Sequence, residues 1–427
     1  MIKYSGFVRN SGLFPAKEVK MKIRDYKYTV GASYLGYICQ AVVNNFVPLL
    51  FVIFQHRFGL SLSQLTALIT VNFFLQLTVD ALASKFVDRI GVRKCVVAAH
   101  ISASLGLILL AVLPAILPDP YTGLIIAVPF YALGGGLIEV LVSPIVESCP
   151  SDNKAAKMSL LHSFYCWGSV AVVVVSTGFL KLFGAGSWPV LSCIWAVLPA
   201  FNAAAFTAVP IRELNDGEKG MSVRELFSQK NFVLFVILMF AAGASELSMS
   251  QWASALAEQG LGISKTLGDL AGPCLFALMM GVSRVIYAKL GKGTDLMKVI
   301  LVSGGLCVVS YLITALSPVP WIALFGFGLC GLSVGVMWPG VYSIASETFP
   351  RGGAAMFALL ALGGDIGCTG GPTVVGFLAG LLGGKLQTGI IFGAVFPGIR
   401  LIFGSVFLRG RKKTHIGENG ISRLAGK

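Results

Sequence analysis

Long apolar stretches alternate with short polar breaks along almost the whole chain. A helix crossing the hydrocarbon core of a bilayer needs about 20 predominantly apolar residues, since each advances the helix by about 1.5 Å. Stretches of that kind fall at 28–56, 64–86, 95–117, 122–147, 158–183, 187–209, 231–257, 267–289, 299–317, 321–347, 354–383 and 387–408. The pattern predicts twelve transmembrane helices. The longest polar interval, 210–230, carries Glu213, Asp216, Glu218 and Lys219 and then Ser222-Val-Arg-Glu-Leu-Phe227, which suits a short surface helix. It divides the spans six and six. The expected organisation is a tail at 1–27, a bundle at 28–209, a linker at 210–230, a second bundle at 231–408 and a tail at 409–427.

The two halves echo each other. Glu147-Ser-Cys-Pro150 returns as Glu347-Thr-Phe-Pro350, Gly178-Phe-Leu180 as Gly376-Phe-Leu378, and Gly59-Leu60 with Ser63 as Gly260-Leu261 with Ser264, at offsets of 198 to 201 residues. Duplication of a six-helix unit accounts for an ordered series of this kind. The fold expected is an all-α membrane protein of twelve helices, arranged as two pseudo-symmetric six-helix bundles.

Composition agrees. Of 427 residues 56% are hydrophobic and 12% charged, against about 25% charged in a soluble domain. A net charge of +14 would raise nucleic acid as a partner, but its placement gives a different cause. Of the 33 Lys and Arg, 27 fall in or at the edges of the segments on one side. Four (Arg57, Lys181, Lys265, Lys385) lie on the other, and two (Arg284, Arg400) lie inside spans. Basic residues collect on the cytoplasmic side of membrane proteins. Both termini are therefore expected in the cytoplasm, in a plasma membrane such as the bacterial inner membrane. The partners expected are the lipid bilayer and a small solute, with no nucleic acid, for a monomer. Residues 1–27 contain no apolar signal core, and Met21 is an alternative to Met1 as the start. The nine cysteines form no disulfide or metal pattern.

Between the second and third spans stands Ser84-Lys-Phe-Val-Asp88-Arg89-Ile-Gly-Val-Arg93-Lys94. This resembles the loop signature of the major facilitator superfamily, Gly-x-x-x-Asp-Arg-x-Gly-Arg-Arg/Lys, with Ser84 at the first glycine. The resemblance covers the whole chain and implies that Asp88, Arg89 and Arg93 brace an inner gate; the plainer reading is a basic turn that only sets topology. Glu147 and Glu347, beside the repeated prolines, are assigned to the same gate. Gly136-Leu-Ile-Glu139-Val-Leu-Val-Ser-Pro144, then Leu161-His-Ser-Phe-Tyr-Cys-Trp-Gly168, is similar to the fucose permease group of sugar symporters, as is the pair Asn44-Asn45. That resemblance implies solute-contacting roles for Asn44, Asn45, Glu139, His162 and Tyr165. Two positions depart from the group: Pro48 stands where an aspartate is expected, and Tyr165 where an asparagine is.

An ionised side chain at mid-bilayer costs about 2.5–3.5 kcal/mol on insertion scales, so it faces a cavity or a partner. Glu139, Glu246, Asp365 and Asp80 are the carboxyls at such depths and the candidates for cation coupling. Glu246 is the repeat counterpart of Asn45. Arg284 sits at the level of Asp80 in the other half, so the two are candidates to pair across the inner gate, or each is satisfied separately by loop charges. Gln251 with Trp252, and Trp338 beside Pro339, suit a sugar, whose hydroxyls take bidentate hydrogen bonds and whose C–H face stacks on a ring; Trp252 also suits an interfacial belt. No phosphate loop, nucleotide fingerprint or protease motif occurs in a workable context, so no enzyme is expected. The reading is a secondary transporter carrying a hexose-type sugar by proton or sodium symport with no other cofactor. The alternative is a proton-coupled exporter of a drug or metabolite.

Overall fold

The computed structural model describes residues 23–150, 154–211, 221–290 and 295–409; side chains before Tyr26 and at 83–86, 88–89, 147, 154–159, 288–290 and 353–355 lie outside the description. Among the described residues eleven helices are long and apolar enough to cross a bilayer, and one bent pair supplies a twelfth. In order they are span one (Tyr26–Leu49 with Phe51–Phe58), two (Leu62–Leu82), three (Val92–Ile116), four (Pro120–Val146), five (Leu160–Phe183) and six (Ala185–Ala208). The second half holds seven (Lys230–Gly260), eight (Lys265–Tyr287), nine (Leu296–Leu316), ten (Pro320–Thr348), eleven (Met356–Leu381) and twelve (Leu386–Arg409). Span one begins and span twelve ends on the same face, called here the terminal face; the opposite one is the far face.

Local chemistry explains where the spans start, stop and bend. Pro48 has no N–H to return to the carbonyl of Asn44, so the helix loses a rung and breaks at Leu50. The two pieces of span one meet at 43°. Gly59 ends the second piece with φ +66°, the left-handed cap that glycine adopts without strain. Span two opens on a reciprocal Ser61–Gln64 capping box. Span four opens on Asp119, followed by Pro120, whose missing N–H is no loss in a first turn. Spans seven, eight and ten are also interrupted. Span seven breaks at Gln251–Trp252 and ends in a π turn, Leu256–Gly260; span eight holds a π turn at Leu270–Cys274 around Pro273; span ten breaks at Gly335–Val336. Such interruptions expose carbonyls and re-aim side chains, and are tolerated where protein rather than lipid surrounds them.

Outward faces are greasy. Span three exposes Ile101, Leu105, Ile108 and Val112 while burying Ala99, Ala103, Leu107 and Leu110. Inward, small residues let backbones touch: a Cβ on Gly134 would stand 2.5 Å from the Ala103 nitrogen, and one on Gly367 2.0 Å from the Phe240 carbonyl oxygen. The repeat survives in the packing. In the first half the Asn202 amide donates to the Ala32 carbonyl (3.0 Å) and pairs with His100 Nε2 (2.8 Å), while His100 Nδ1 bonds the Val96 carbonyl (2.7 Å). At offsets of 198 and 204 residues, Arg400 and Gly304 take those two places. Arg400 fills the room that the glycine leaves and donates to the carbonyls of Leu238 (3.3 Å) and Met337 (3.1 Å). Across the bundles span two packs against eleven, span five against eight and span one against seven.

Candidate solute site between the bundles

Several amides and hydroxyls in the first bundle are locked to one another at mid-depth. Gln40 Nε2 donates to the Glu139 carboxylate in a short hydrogen bond. Gln76 Nε2 donates to Asn44 Oδ1 (2.8 Å) and Asn72 Oδ1 (2.9 Å), and Asn45 donates to the Ser169 hydroxyl (3.1 Å) and the Ala41 carbonyl (2.9 Å). The Tyr165 hydroxyl lies against the amides of Asn44 and Asn45. Tyr37 and Ser143 share a bond of 2.9 Å between their hydroxyls. Gln40 Oε1 is buried with no donor. These rotamers are fixed by their neighbours and still offer oxygen acceptors and N–H donors, which is what binding a polyhydroxylated solute requires.

The second bundle answers with charge and aromatic surface. Glu246 is buried, with Oε2 lacking any donor. Arg284 Nη1 donates to the carbonyl of His162 (3.1 Å) across the interface, and the His162 ring lies 5.3 Å from Tyr37. Trp338, just after the break in span ten, lays its ring on Gly364 of span eleven, where a Cβ would come within 2.3 Å. Asp365, one residue on, faces Asp80 of span two.

Toward the far face the bundles are sealed together. Thr70 and Thr373 share a hydrogen bond of 2.6 Å, and Gln259 donates to Gln55 (2.6 Å). Gln251 donates to the Asn44 carbonyl that Pro48 leaves free (3.2 Å), and Lys265 donates to the Leu49 carbonyl at the break (2.6 Å). Lys265 also holds Asp269 at 3.1 Å. Asp269 in turn accepts from Ser254 and, across the interface, from Thr177 (2.9 Å). Closed interfaces on one side are how a carrier confines access to the other.

Several residues singled out in the sequence stand elsewhere than expected. Trp252 is fully buried, its indole N–H on the Pro372 carbonyl (3.0 Å) and its ring against Phe51 and the Thr66–Gly376 contact. In this arrangement it is neither a lipid-facing belt residue nor a free stacking surface, but a plug in the far seam. Asp80 and Arg284 share a level and no ion pair, because their helices turn these side chains to different neighbours. Arg93 reaches within its own bundle to the carbonyls of Phe206 (2.7 Å) and Thr207 (3.0 Å), neutralising the C-terminal end of span six. Glu347 is exposed at the terminal face. The side chains of Asp88, Arg89 and Glu147 lie outside the described residues. Among the described residues no group of three or more His, Cys, Asp and Glu is placed to hold a metal ion.

Sequence reading missed Gln40, Gln76, Thr177 and Asp269. Lys265 and Asp269 stand four apart at the start of a span, a spacing that a solvated surface pair has as well. The available signal was depth: Asp269 lies inside an apolar run whose counterpart, through Thr177, lies in the other half.

The profile of the Major Facilitator Superfamily matches residues 33–350. Among solved structures, the E. coli fucose:proton symporter FucP, in a substituted form, is similar at TM-score 0.63 and 15% identity, over 90% of this chain and 99% of that one. FucP in the outward conformation gives 0.61 and 16% over the same shares. The nucleoside transporter NupG, also in a substituted form, gives 0.70 and 12%, over 91% of this chain and 99% of that one. At these identities the likeness is one of fold. No curated protein matches the chain in sequence.

Proposed function

The chain belongs to the Major Facilitator Superfamily, and on that premise we propose that this membrane transporter carries a hexose-type sugar by symport with a proton or sodium ion. The bundles rock about the central site so that it opens to one face at a time. One observation carries this reading: Gln40, one helical turn before the fixed amides of Asn44 and Asn45, donates to the Glu139 carboxylate, and Tyr165, bonded to those amides, feels the charge of Glu139. A carboxyl there couples two equilibria, because binding a cation removes a charge from a place where charge is expensive and lets the bundles close over it. Asn44, Asn45, Tyr165 and His162 bind the hydroxyls, with Gln251 joining as the far seam opens, and Trp338 offers the ring for the sugar's C–H face. Glu246, Asp365 and Asp80 are further coupling candidates, and Arg284 with the terminal-face charges Glu347 and Arg93 belongs to the gate on that side. The terminal face is assigned to the cytoplasm of a plasma membrane, and the protein to a monomer that needs no cofactor beyond the coupling ion. Fucose and nucleosides, the solutes named for FucP and NupG, both contain a hydroxylated sugar ring, which supports the solute class.

The test is uptake by proteoliposomes offered a panel of hexoses under an imposed proton or sodium gradient. Wild type accumulates one of them under one gradient. Glu139→Gln loses accumulation against a gradient and keeps solute exchange. Normal accumulation by Glu139→Gln overturns the coupling role, and absence of any hexose uptake under both gradients turns the reading to a proton-coupled exporter.

A further inference from the structure

Spans two and eleven run antiparallel across the bundle interface in a single register. Ser63 meets Gly380, Thr66 meets Gly376 and Thr70 bonds Thr373. Continued toward the terminal face, about two to three helical turns on, the same register brings Asp80 opposite Asp365, and the two carboxyls interact there. Both oxygens of Asp80 are buried, and among the described residues neither receives a hydrogen bond. The seam is thus built from hydroxyl and glycine contacts along its far half and from two acids at its terminal end.

The groups that face this pair come from every neighbouring span. The charge of Glu139 in span four acts on both acids, Tyr37 of span one interacts electrostatically with Asp365 and Tyr342 of span ten with both, and Cys368 is on span eleven itself. Among the described residues none of these groups is a cation. Arg284 donates to the His162 carbonyl, and its charge acts on Glu246. An acid pair without a counter-charge has one inexpensive way to stay buried, which is to hold a proton in common.

We propose that Asp80 and Asp365 form a proton site shared between the bundles, which latches the terminal-face gate. With one proton bound, the carboxylic acid of one residue donates to the carboxylate of the other, the pair carries a single negative charge, and the seam closes through to its terminal end. When that proton leaves to the water of the terminal face, two facing carboxylates remain, and their repulsion parts spans two and eleven. The site is separate from Glu139, which Gln40 holds within the first bundle. It rests on the reading that the bundles rock, and it adds a second proton-binding step that governs which face is open.

The experiment is pulsed EPR on the full chain in lipid nanodiscs, with labels on unnatural amino acids at Ala81 and Ala358, small exposed residues at the terminal ends of spans two and eleven. Every protein also carries Glu139→Gln to silence the nearest other carboxyl. The parent protein shows a short distance in acid that gives way to a long one as pH rises. Asp80→Asn with Asp365→Asn loses that pH-dependent shift. Asp80→Lys, which turns the pair into an attractive one, holds the short distance at every pH, an outcome that a merely structural aspartate does not produce. An unaltered pH shift in the double asparagine variant overturns the proposal, as does a long distance in Asp80→Lys. A distance that responds to solute but not to pH overturns this inference alone; one that responds to neither overturns the rocking-bundle reading with it.

Discussion

Thr177 of span five donates a 2.9 Å hydrogen bond to the carboxylate of Asp269 in span eight, so a side chain from each bundle meets on one buried charge. Ser254 and Lys265 complete the shell of Asp269 from within the second bundle. The ion pair itself lies within the second bundle; Thr177 ties its carboxylate, and the Leu49 carbonyl its ammonium, to the opposite half. These ties depend on the far face being shut.

Replacing that threonine isolates the inter-bundle bond. A hydrogen bond to a charged group contributes about 1.5–3 kcal/mol, so Thr177→Val shifts the equilibrium toward an open far face by on the order of tenfold to a hundredfold. Distances between labels at the far ends of spans five and eight measure the shift. Asp269→Asn, which also removes the counter-charge of Lys265, has the larger effect on stability.

Gly376 sets how closely span eleven approaches. A Cβ there would stand 2.3 Å from the Thr66 hydroxyl and 2.4 Å from the Trp252 ring, and that ring is fully buried with no room to retreat. Gly376→Ala therefore props the far seam open. Solute binding from the far side persists in this variant while transport across vesicle membranes falls severely, and scintillation binding beside uptake separates the two.

Arg400 is fully buried and makes its hydrogen bonds to main-chain carbonyls of spans seven and ten. Arg400→Leu leaves those acceptors without a donor, at about 1–3 kcal/mol for each group left unsatisfied. The expected result is a lower melting temperature in detergent with solute affinity unchanged in the protein that remains folded. Arg400→Lys, which restores a donor without the fork, recovers part of the loss.

Asp119 caps span four outside the membrane. The Thr122 hydroxyl and N–H hold its carboxyl below the usual carboxylate range. The group is therefore more acidic folded than unfolded, and its contribution is present above the ordinary carboxyl pKa and lost as pH falls through the folded value. Asp119→Ala melts below wild type near neutrality, and the difference shrinks as the solution is acidified. A difference constant with pH would assign the effect to something other than the carboxylate.

The fold was legible because its signals are long. Twelve apolar stretches and a repeat with offsets near two hundred residues constrain the architecture whatever the side chains do in detail. Helix rotation was not legible. Asp80 and Arg284 sit at one level, yet level says nothing about which way a side chain points, and the partner of Asp80 is Asp365 on another span. For Trp252 the sequence leaves a solute-stacking and an interfacial position open, because a tryptophan near a span end looks alike whether lipid, solute or another bundle lies beside it; the structure buries it in the far seam. Asp269 went unnoticed because its lysine four residues earlier resembles an ordinary surface pair. In each case contacts between elements far apart in sequence decide the role, and local pattern holds no record of them.

Pro48 gives the far closure an unusual address. By withholding one N–H it turns the Asn44 carbonyl outward, and the break just beyond does the same for Leu49. Gln251 and Lys265 of the second bundle grip these two main-chain atoms. Within the second bundle Trp252 holds the carbonyl of Pro372. A carbonyl belongs to every residue type, so the side chains at 44 and 49 are free to change without erasing the acceptor. Span one can consequently be retuned for a new solute over evolutionary time while the lock that closes above it keeps the same key.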